Sequence, residues 1–500
     1  MRFVLIKLAL VLFLCTLSCS HFSKSKTTGM EAISAVNSPA QTEVIIIGAG
    51  LSGMAAAYEL KKAGVPYHIL ELTPRAGGRV RTVQYQFEGE TLVADSGMEE
   101  YWESNPAVAL LKELGLPLRH DIALSSIVLG GKLYSLGDED AAAYYSRIFN
   151  ADQRRLLQSF KEEVAPLMNS LASASLAKLK DQSFADWTGR KLQELASKNS
   201  IPRASIEKVA HWIRISVECE IGTEWNRISA LDGLAEFHIF LGHAGTGEES
   251  YRVIGGNENF TSALARAVGE EHITFNAKVN RIIRQGTTST VSYLNTTNNK
   301  HAEIRGDFVI STIPLYRLFE LQIEPPLSPA KWAAIQSQKW GSYFKAHILV
   351  GSEAKRFWMN GNSSSLPILS DSPLGVIYDG NPDQATKTKI LSLLITGSQA
   401  EAFNFMPLDQ VREIIKAQFE MLWPGFSKEI KMIEFYRYHP RAIAAWPVGR
   451  SRFDDLSNEI RRPENGLYMA GDFTESSHSD GAFISASRVV KQILQKRGNK

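Results

Sequence analysis

Three glycines carry the clearest chemistry in the chain. Gly48, Gly50 and Gly53 stand in the order G-x-G-x-x-G, with Leu51 and Ser52 between the last two. In that spacing the first glycine allows a tight turn and the second lets the backbone approach a pyrophosphate. The third lets a helix pack close to a strand. The helix start then offers free N–H groups and a positive dipole end to the phosphates. Glu71 follows about twenty residues later, where a carboxylate accepts hydrogen bonds from a ribose. Such a triplet alone is often only a loop, so the elements around it decide. Val44-Ile45-Ile46-Ile47 predicts a strand buried on both faces, Met54 to Ala63 a helix stopped by Gly64, and Pro66 to Leu70 a second strand. Strand, turn, helix, strand and acid in register point to a dinucleotide. The next stretch, Arg75-Ala76-Gly77-Gly78-Arg79-Val80-Arg81, has no task in a nicotinamide dehydrogenase. It suits an extended cofactor: Gly77 and Gly78 let the chain pass beside it, and Arg79 and Arg81 offer guanidinium groups to its oxygens. Apart from the first motif, the same residues would read as a solvated loop.

The whole chain sets bounds on that chemistry. Its 500 residues are long enough for two domains. Hydrophobic residues at 44% and charged residues at 22% exclude a disordered or polytopic membrane protein. Lys and Arg number 55 against 53 acids, so no charge footprint for nucleic acid is expected. Arg2, Lys7 and the apolar run Leu8 to Leu17 look like a secretory signal too short to span a membrane. Residues 1–20 are therefore expected to be a signal peptide and 21–41 a polar linker. Ser18 and Ser20 fit an ordinary cleavage site; Thr16-Leu17-Ser18-Cys19 fits, loosely, a lipoprotein box. The protein is expected to be exported: periplasmic, secreted, or anchored by lipid at Cys19, its one route to a membrane. Cys219 is the single cysteine beyond the signal, so no internal disulfide forms, and no Cys/His spacing suggests a metal.

From Glu43 to Val490 the chain resembles the flavin amine oxidases, the group of monoamine, polyamine and L-amino-acid oxidases and lysine demethylases. The likeness is carried by the first glycine turn and by Glu71 to Thr82, then by Asp95-Ser96-Gly97, Gly255-Gly256-Asn257 and Ala277-Lys278-Val279. Gly306 to Pro314 and Gly466 to Phe473 add to it, with Asp480-Gly481-Ala482-Phe483 after them. It implies an α/β fold: a Rossmann-like, glutathione-reductase-like FAD domain interleaved with an α+β substrate domain. The FAD domain would take residues 42–120, 251–314 and 440–495, and the substrate domain 121–250 and 315–439, helical over about 140–235. FAD would be held by Gly48, Gly50, Leu51, Ser52, Gly53, Glu71, Gly78 and Arg79, then by Gly97, Met98 and Val279, and finally by Gly471, Asp472, Gly481, Ala482 and Phe483. Locally, Tyr468 to Ala470 reads as a short strand and Gly471 as a point of close approach. Asp472 falls at a ribityl or phosphate-adjacent hydroxyl, or else caps a turn. A helix opening at Gly481 would favour the negative charge of reduced flavin.

Period-two alternation puts Tyr343, Lys345 and His347 on one strand face. The family resemblance implies that Lys345 holds a water against flavin N5; without it, Lys345 would be a solvated surface residue. Glu100, Tyr343 and Trp446 are candidates for the substrate cavity, with Phe357-Trp358 near it, while Tyr343 reads also as a structural residue and Trp446 as a core tryptophan. Monoamine oxidases attach FAD through a cysteine in the region matching 439–449; none stands there, so non-covalent FAD is expected. Ala482 occupies the place of a cage tyrosine. L-amino-acid oxidases carry a carboxylate-binding arginine soon after Asp-x-Gly, where this chain has Met98-Glu99-Glu100-Tyr101-Trp102-Glu103. Acids there would repel a carboxylate and attract a cationic amine, or else form a solvated acidic turn. The expected reaction is oxidation of a small amine to an imine and then a carbonyl compound, with dioxygen reduced to hydrogen peroxide. An L-amino-acid oxidase, needing Arg214 or Arg437 for the carboxylate, is one alternative. A desaturase- or porphyrinogen-oxidase-like enzyme and a non-catalytic flavin protein are the others.

Overall fold

The computed structural model describes residues 38–121, 124–137, 139–241 and 247–498. The proposed signal, Cys19 and all but the last four residues of the linker lie outside them. Among the described residues no helix is long and apolar enough to cross a membrane.

The β-branched run Val44–Ile47 is the middle strand of a five-stranded sheet. Its neighbours are Tyr67–Leu70 on one side and Phe308–Ser311 on the other, with Ile273–Thr274 and Leu467–Met469 outermost, every pair parallel. One face is covered by the helices Leu51–Lys62, Glu258–Val268 and Ser479–Gly498 through Met54, Leu60, Leu264 and Ile493. The other face meets the antiparallel strands Ala277–Gln285, Thr288–Asn295 and Lys300–Gly306 through Ile45, Ile47, Val291 and Ile304. Burial on both sides is why the strand reads as an unbroken apolar run. Tyr67–Leu70 and Phe308–Ser311 lie on opposite sides of the first strand, so a crevice opens at its carboxyl end.

A second, seven-stranded sheet runs in the order Ile430–Tyr436, Tyr343–Val350, Lys389–Thr396, Val376–Asp379, Ile368–Ser370, Ser126–Leu129, Lys132–Tyr134. Phe344, Ala346, Ile348 and Val350 pack on the helices Gly397–Phe405 and Leu408–Leu422. Lys345 and His347 point the other way, toward the loop after Asp95. Helices Ala141–Ile148, Ala151–Met168, Phe184–Lys198, Ile206–Ile221 and Ala230–Phe237 form a third layer around Leu156, Phe160, Phe184 and Phe237. The family fold of a Rossmann-like unit joined to an α+β unit is thus present. Phe357 and Trp358 pack on Phe426 and Trp423 beneath the helix Leu408–Leu422 and do not line the cavity around Glu100.

Candidate active site

The glycine turn is built to admit a cofactor. Gly48 has φ +104°, and a Cβ there would lie 2.6 Å from Thr312 Oγ1. A Cβ on Gly53 would stand 1.9 Å from the Gly48 carbonyl, so glycine is what lets the helix seat on the strand. A Cβ on Gly50 would meet nothing within 4 Å among the described residues. The second glycine pair lies directly against the first motif: Gly77 N–H donates to Ala49 O at 2.8 Å, and a Cβ on Gly78 would be 3.3 Å from Gly50 Cα. Glu71 closes the turn, accepting from Ala49 N–H at 2.7 Å and Thr73 N–H at 2.9 Å. Ser52 Oγ meets Ser485 Oγ at 3.3 Å, and Ser485 Oγ accepts from Gly471 N–H at 2.8 Å, which ties the first turn to the last. Arg79 donates both terminal nitrogens to Asp472, at 2.7 and 2.8 Å. Asp472 is buried, while the Arg79 side chain remains 44% exposed and also donates to Ala442 O. His439 is buried, and its Nε2 has no hydrogen-bond partner among the described residues. Burial and the nearby Arg79 charge push its pKa down to about 3. An open glycine cradle, a half-free guanidinium and an orphaned neutral imidazole fit a flavin dinucleotide.

Beyond the crevice the loop 95–99 is held from two sides. Asp95 accepts from Thr82 Oγ1 at 2.6 Å and from Asn257 N–H at 3.0 Å, while Asn257 Nδ2 donates to the carbonyls of Met98 and Glu99. Burial, and then the charge of Glu99, push the Asp95 carboxyl up to about 7. Gly97 must be glycine, because a Cβ would lie 2.1 Å from Arg79 O. Lys345 Nζ donates to Asp95 O at 2.9 Å, Gly97 O at 2.9 Å and the Glu99 carboxylate. Glu99 also accepts from Ser392 Oγ at 2.7 Å, and the Lys345 and Arg252 charges hold its carboxyl below the usual range despite burial. An ammonium has three N–H donors. All three are used within the protein, so Lys345 clamps this loop.

The loop continues into a cavity of about 90 Å³. Glu100, Asp121, Glu220, Glu248 and Asp379 line it, with Arg119 and Arg252 as the cations. Both arginines are already engaged: Arg119 with Asp121 at 2.6 Å, Arg252 with Asp121 at 3.3 Å and Glu99 at 3.8 Å. Glu100 accepts from Ser250 Oγ at 2.7 Å, and burial raises its carboxyl pKa. Among the described residues no group of His, Cys, Asp and Glu is arranged to hold a metal ion.

Residues 51–494 match the model of flavin containing amine oxidoreductases. The chain belongs to that family. It is 24% identical over 463 residues to an L-amino-acid oxidase of Sistrurus catenatus edwardsii, covering 87% of this chain and 83% of that protein. Among solved structures it resembles putrescine oxidase bound to putrescine, with TM-score 0.72 and 20% identity over 91% of this chain and 99% of that one. Cyclohexylamine oxidase from Brevibacterium oxydans IH-35A gives TM-score 0.71 and 18% identity over the same shares. The protein is therefore an oxidoreductase of the flavin amine oxidase family.

Several of the residues named from the sequence are packed into the cores of this amine oxidoreductase. Trp446 is fully buried in the core with Ala444 and Ile460, its indole N–H on Ser457 Oγ at 3.2 Å and Arg452 4.8 Å over its ring. The strand Ile443–Ala445, paired to Lys339–Gly341, turns it inward. Tyr343 lies one layer behind the cavity wall, its hydroxyl donating to Glu220 O. Phe483 stacks on Phe260 at 6.1 Å between the helices of the Rossmann unit. Its helix begins at Ser479, and Gly481 serves packing, since a Cβ there would sit 2.2 Å from Ser476 O. Ala482 is buried beside it. Met98 packs against the Rossmann core, and Val279 pairs with Tyr293 just before a bulge. Arg214 bonds His211, and Arg437 bonds the carbonyls of Phe403 and Met406; neither lines the cavity. Sequence reasoning missed Glu220, Arg252 and His478. A signal existed for the first: Glu220 sits in the last turn of the helix Ile206–Ile221, where an acid opposes the dipole.

Proposed function

We propose that this family member is an FAD-dependent oxidase of a small cationic amine, yielding an imine, then a carbonyl compound, and hydrogen peroxide from dioxygen. The observation that carries the proposal is the charge of the cavity. Carboxyl groups outnumber guanidinium groups there, and both arginines are paired. A substrate carboxylate would meet excess negative charge; an ammonium would relieve it. At about 90 Å³ the cavity has room for roughly three waters, enough for the amine end of a substrate. The flavin, when bound, accepts the two electrons released as the amine is oxidised. The chain's part is to orient and desolvate: Lys345 and Asn257 fix the loop 95–99, and the carboxyl groups hold the amine. With no cysteine in residues 439–449, the cofactor is proposed to be non-covalent. Denaturation followed by filtration should release all the yellow colour. Export by residues 1–20 belongs to the same proposal.

A second reading, oxidation of L-amino acids, has one observation in its favour: Arg252 stands in the cavity over the Tyr378 ring. The experiment is anaerobic bleaching of the flavin by monoamines, diamines, polyamines and L-amino acids, paired with peroxide release in air. Bleaching by amines is expected. Bleaching by amino acids alone would transfer the assignment to the second reading, and none by any of them would leave a flavin-binding protein without turnover.

A further inference from the structure

We propose that Glu220 takes the proton from the substrate ammonium, freeing the nitrogen lone pair before the amine is oxidised, and that His478 and Glu236 position it from behind. The proposal rests on the amine-oxidase reading above and deepens it.

Glu220 differs from the other acids of the cavity in how little holds it. Asp121 is bound by two arginines and Glu100 by Ser250. The Glu220 carboxyl, among the described residues, meets the Cys219 thiol at 3.5 Å and His478 Nε2 at 3.8 Å. A thiol is a weak donor. The helix end on which Glu220 sits, closed by Gly222 at φ +62°, also disfavours a negative charge. Glu220 is thus a cavity-facing acceptor left open for an incoming N–H.

Behind it runs a string of buried charge. Arg452 binds Asp232 at 2.7 Å and also Glu236. Glu236 Oε2 lies 3.1 Å from His478 Nδ1, and His478 Nε2 is 3.1 Å from the Glu220 carbonyl. The imidazole ring rests 4.7 Å from Trp102, a wall of the cavity. His478 belongs to the loop between Asp472–Glu475 and the last helix.

The step balances simply. The ammonium N–H bond breaks, its electron pair stays on nitrogen, and the proton forms an O–H bond on Glu220. Neutral amine and carboxylic acid replace ammonium and carboxylate, and no oxidant takes part. Burial pushes the Glu220 carboxyl up to about 7; the His478 charge lowers it and the Glu100 charge raises it again. Glu236 and the Cys219 thiol face it as well, Tyr343 donates to its carbonyl, and Tyr378 and Arg252 face it across the cavity. An acceptor with this pKa is matched to work near neutrality.

The test is the pre-steady-state rate of anaerobic flavin bleaching, followed across pH with an amine that bleaches the wild type. The wild-type rate should rise with pH through an inflection near 7. Glu220→Gln should retain flavin, lose on the order of 10²-fold in rate and lose the inflection. His478→Gln removes a positive charge and should move the inflection to higher pH; Glu100→Gln removes a negative one and should move it lower. An unchanged rate and inflection in Glu220→Gln overturns the proposal. Should that variant fail to take up flavin, the two opposite displacements decide, and their absence overturns it. A wild type that no amine bleaches overturns the oxidase reading itself, a distinguishable outcome.

Discussion

Lys345 shows how a residue's chemistry is set by its neighbours. In sequence it is a lone lysine on an apolar strand; in the fold it is 1% exposed with three acceptors, one of them the buried Glu99. Removing one partner of a buried ion pair leaves the other uncompensated, at about 3–5 kcal/mol, whereas replacing both by apolar groups is often neutral. Lys345→Met should therefore lower the thermal midpoint by many degrees. The pair Lys345→Met/Glu99→Leu should recover most of that loss, measured by circular dichroism. A double variant no more stable than the single one would mean the pair is not the clamp described. The strand alternation was legible in advance; Glu99 as partner was not, because the two are 246 positions apart and nothing local marks them.

At the scale of elements, the first turn separates two kinds of glycine. Gly53 is needed by the protein itself, since a Cβ would press on the Gly48 carbonyl, while Gly50 faces open space. Gly53→Ala is expected to lower the melting temperature of the apoprotein and abolish flavin uptake. Gly50→Ala should leave the apoprotein melting temperature near the wild type and weaken flavin uptake alone, read by titration with FAD. Equal destabilisation by both would contradict the space seen above Gly50. This strand–turn–helix was legible because its constraints are local: buried β-branched residues, a tight turn, a helix start. The C-terminal segment was legible only in part. The strand is Leu467–Met469, Asp472 pairs with Arg79, the helix starts earlier than expected, at Ser479, and Phe483 stacks on Phe260.

For the molecule as a whole, the buried charges between the helical layer and the C-terminal loop link stability to pH. Burial opposes protonation of His478, but Glu236 and Glu220 outweigh it and raise its pKa to about 9. The free value is 6.5, so protonated His478 stabilises the fold by at most ~3 kcal/mol. A raised histidine pKa gives stability that is complete below about 6.5 and lost as pH climbs through 9. Glu220, raised to about 7, acts in the same sense between about 4.5 and 7. The thermal midpoint should accordingly fall from pH 6.5 toward 9, and His478→Gln should flatten the decline; a parallel decline in the variant would place its cause elsewhere. The nucleotide-binding start, the two kinds of sheet strand and the family could be read along the chain, since each is written in short-range periodicity and glycine spacing. Which charges meet was settled by folding. Glu100, Glu220, Arg252 and His478 come from four separate stretches of chain. Their pKa values and pairings follow from burial and through-space distance, quantities that no local pattern encodes.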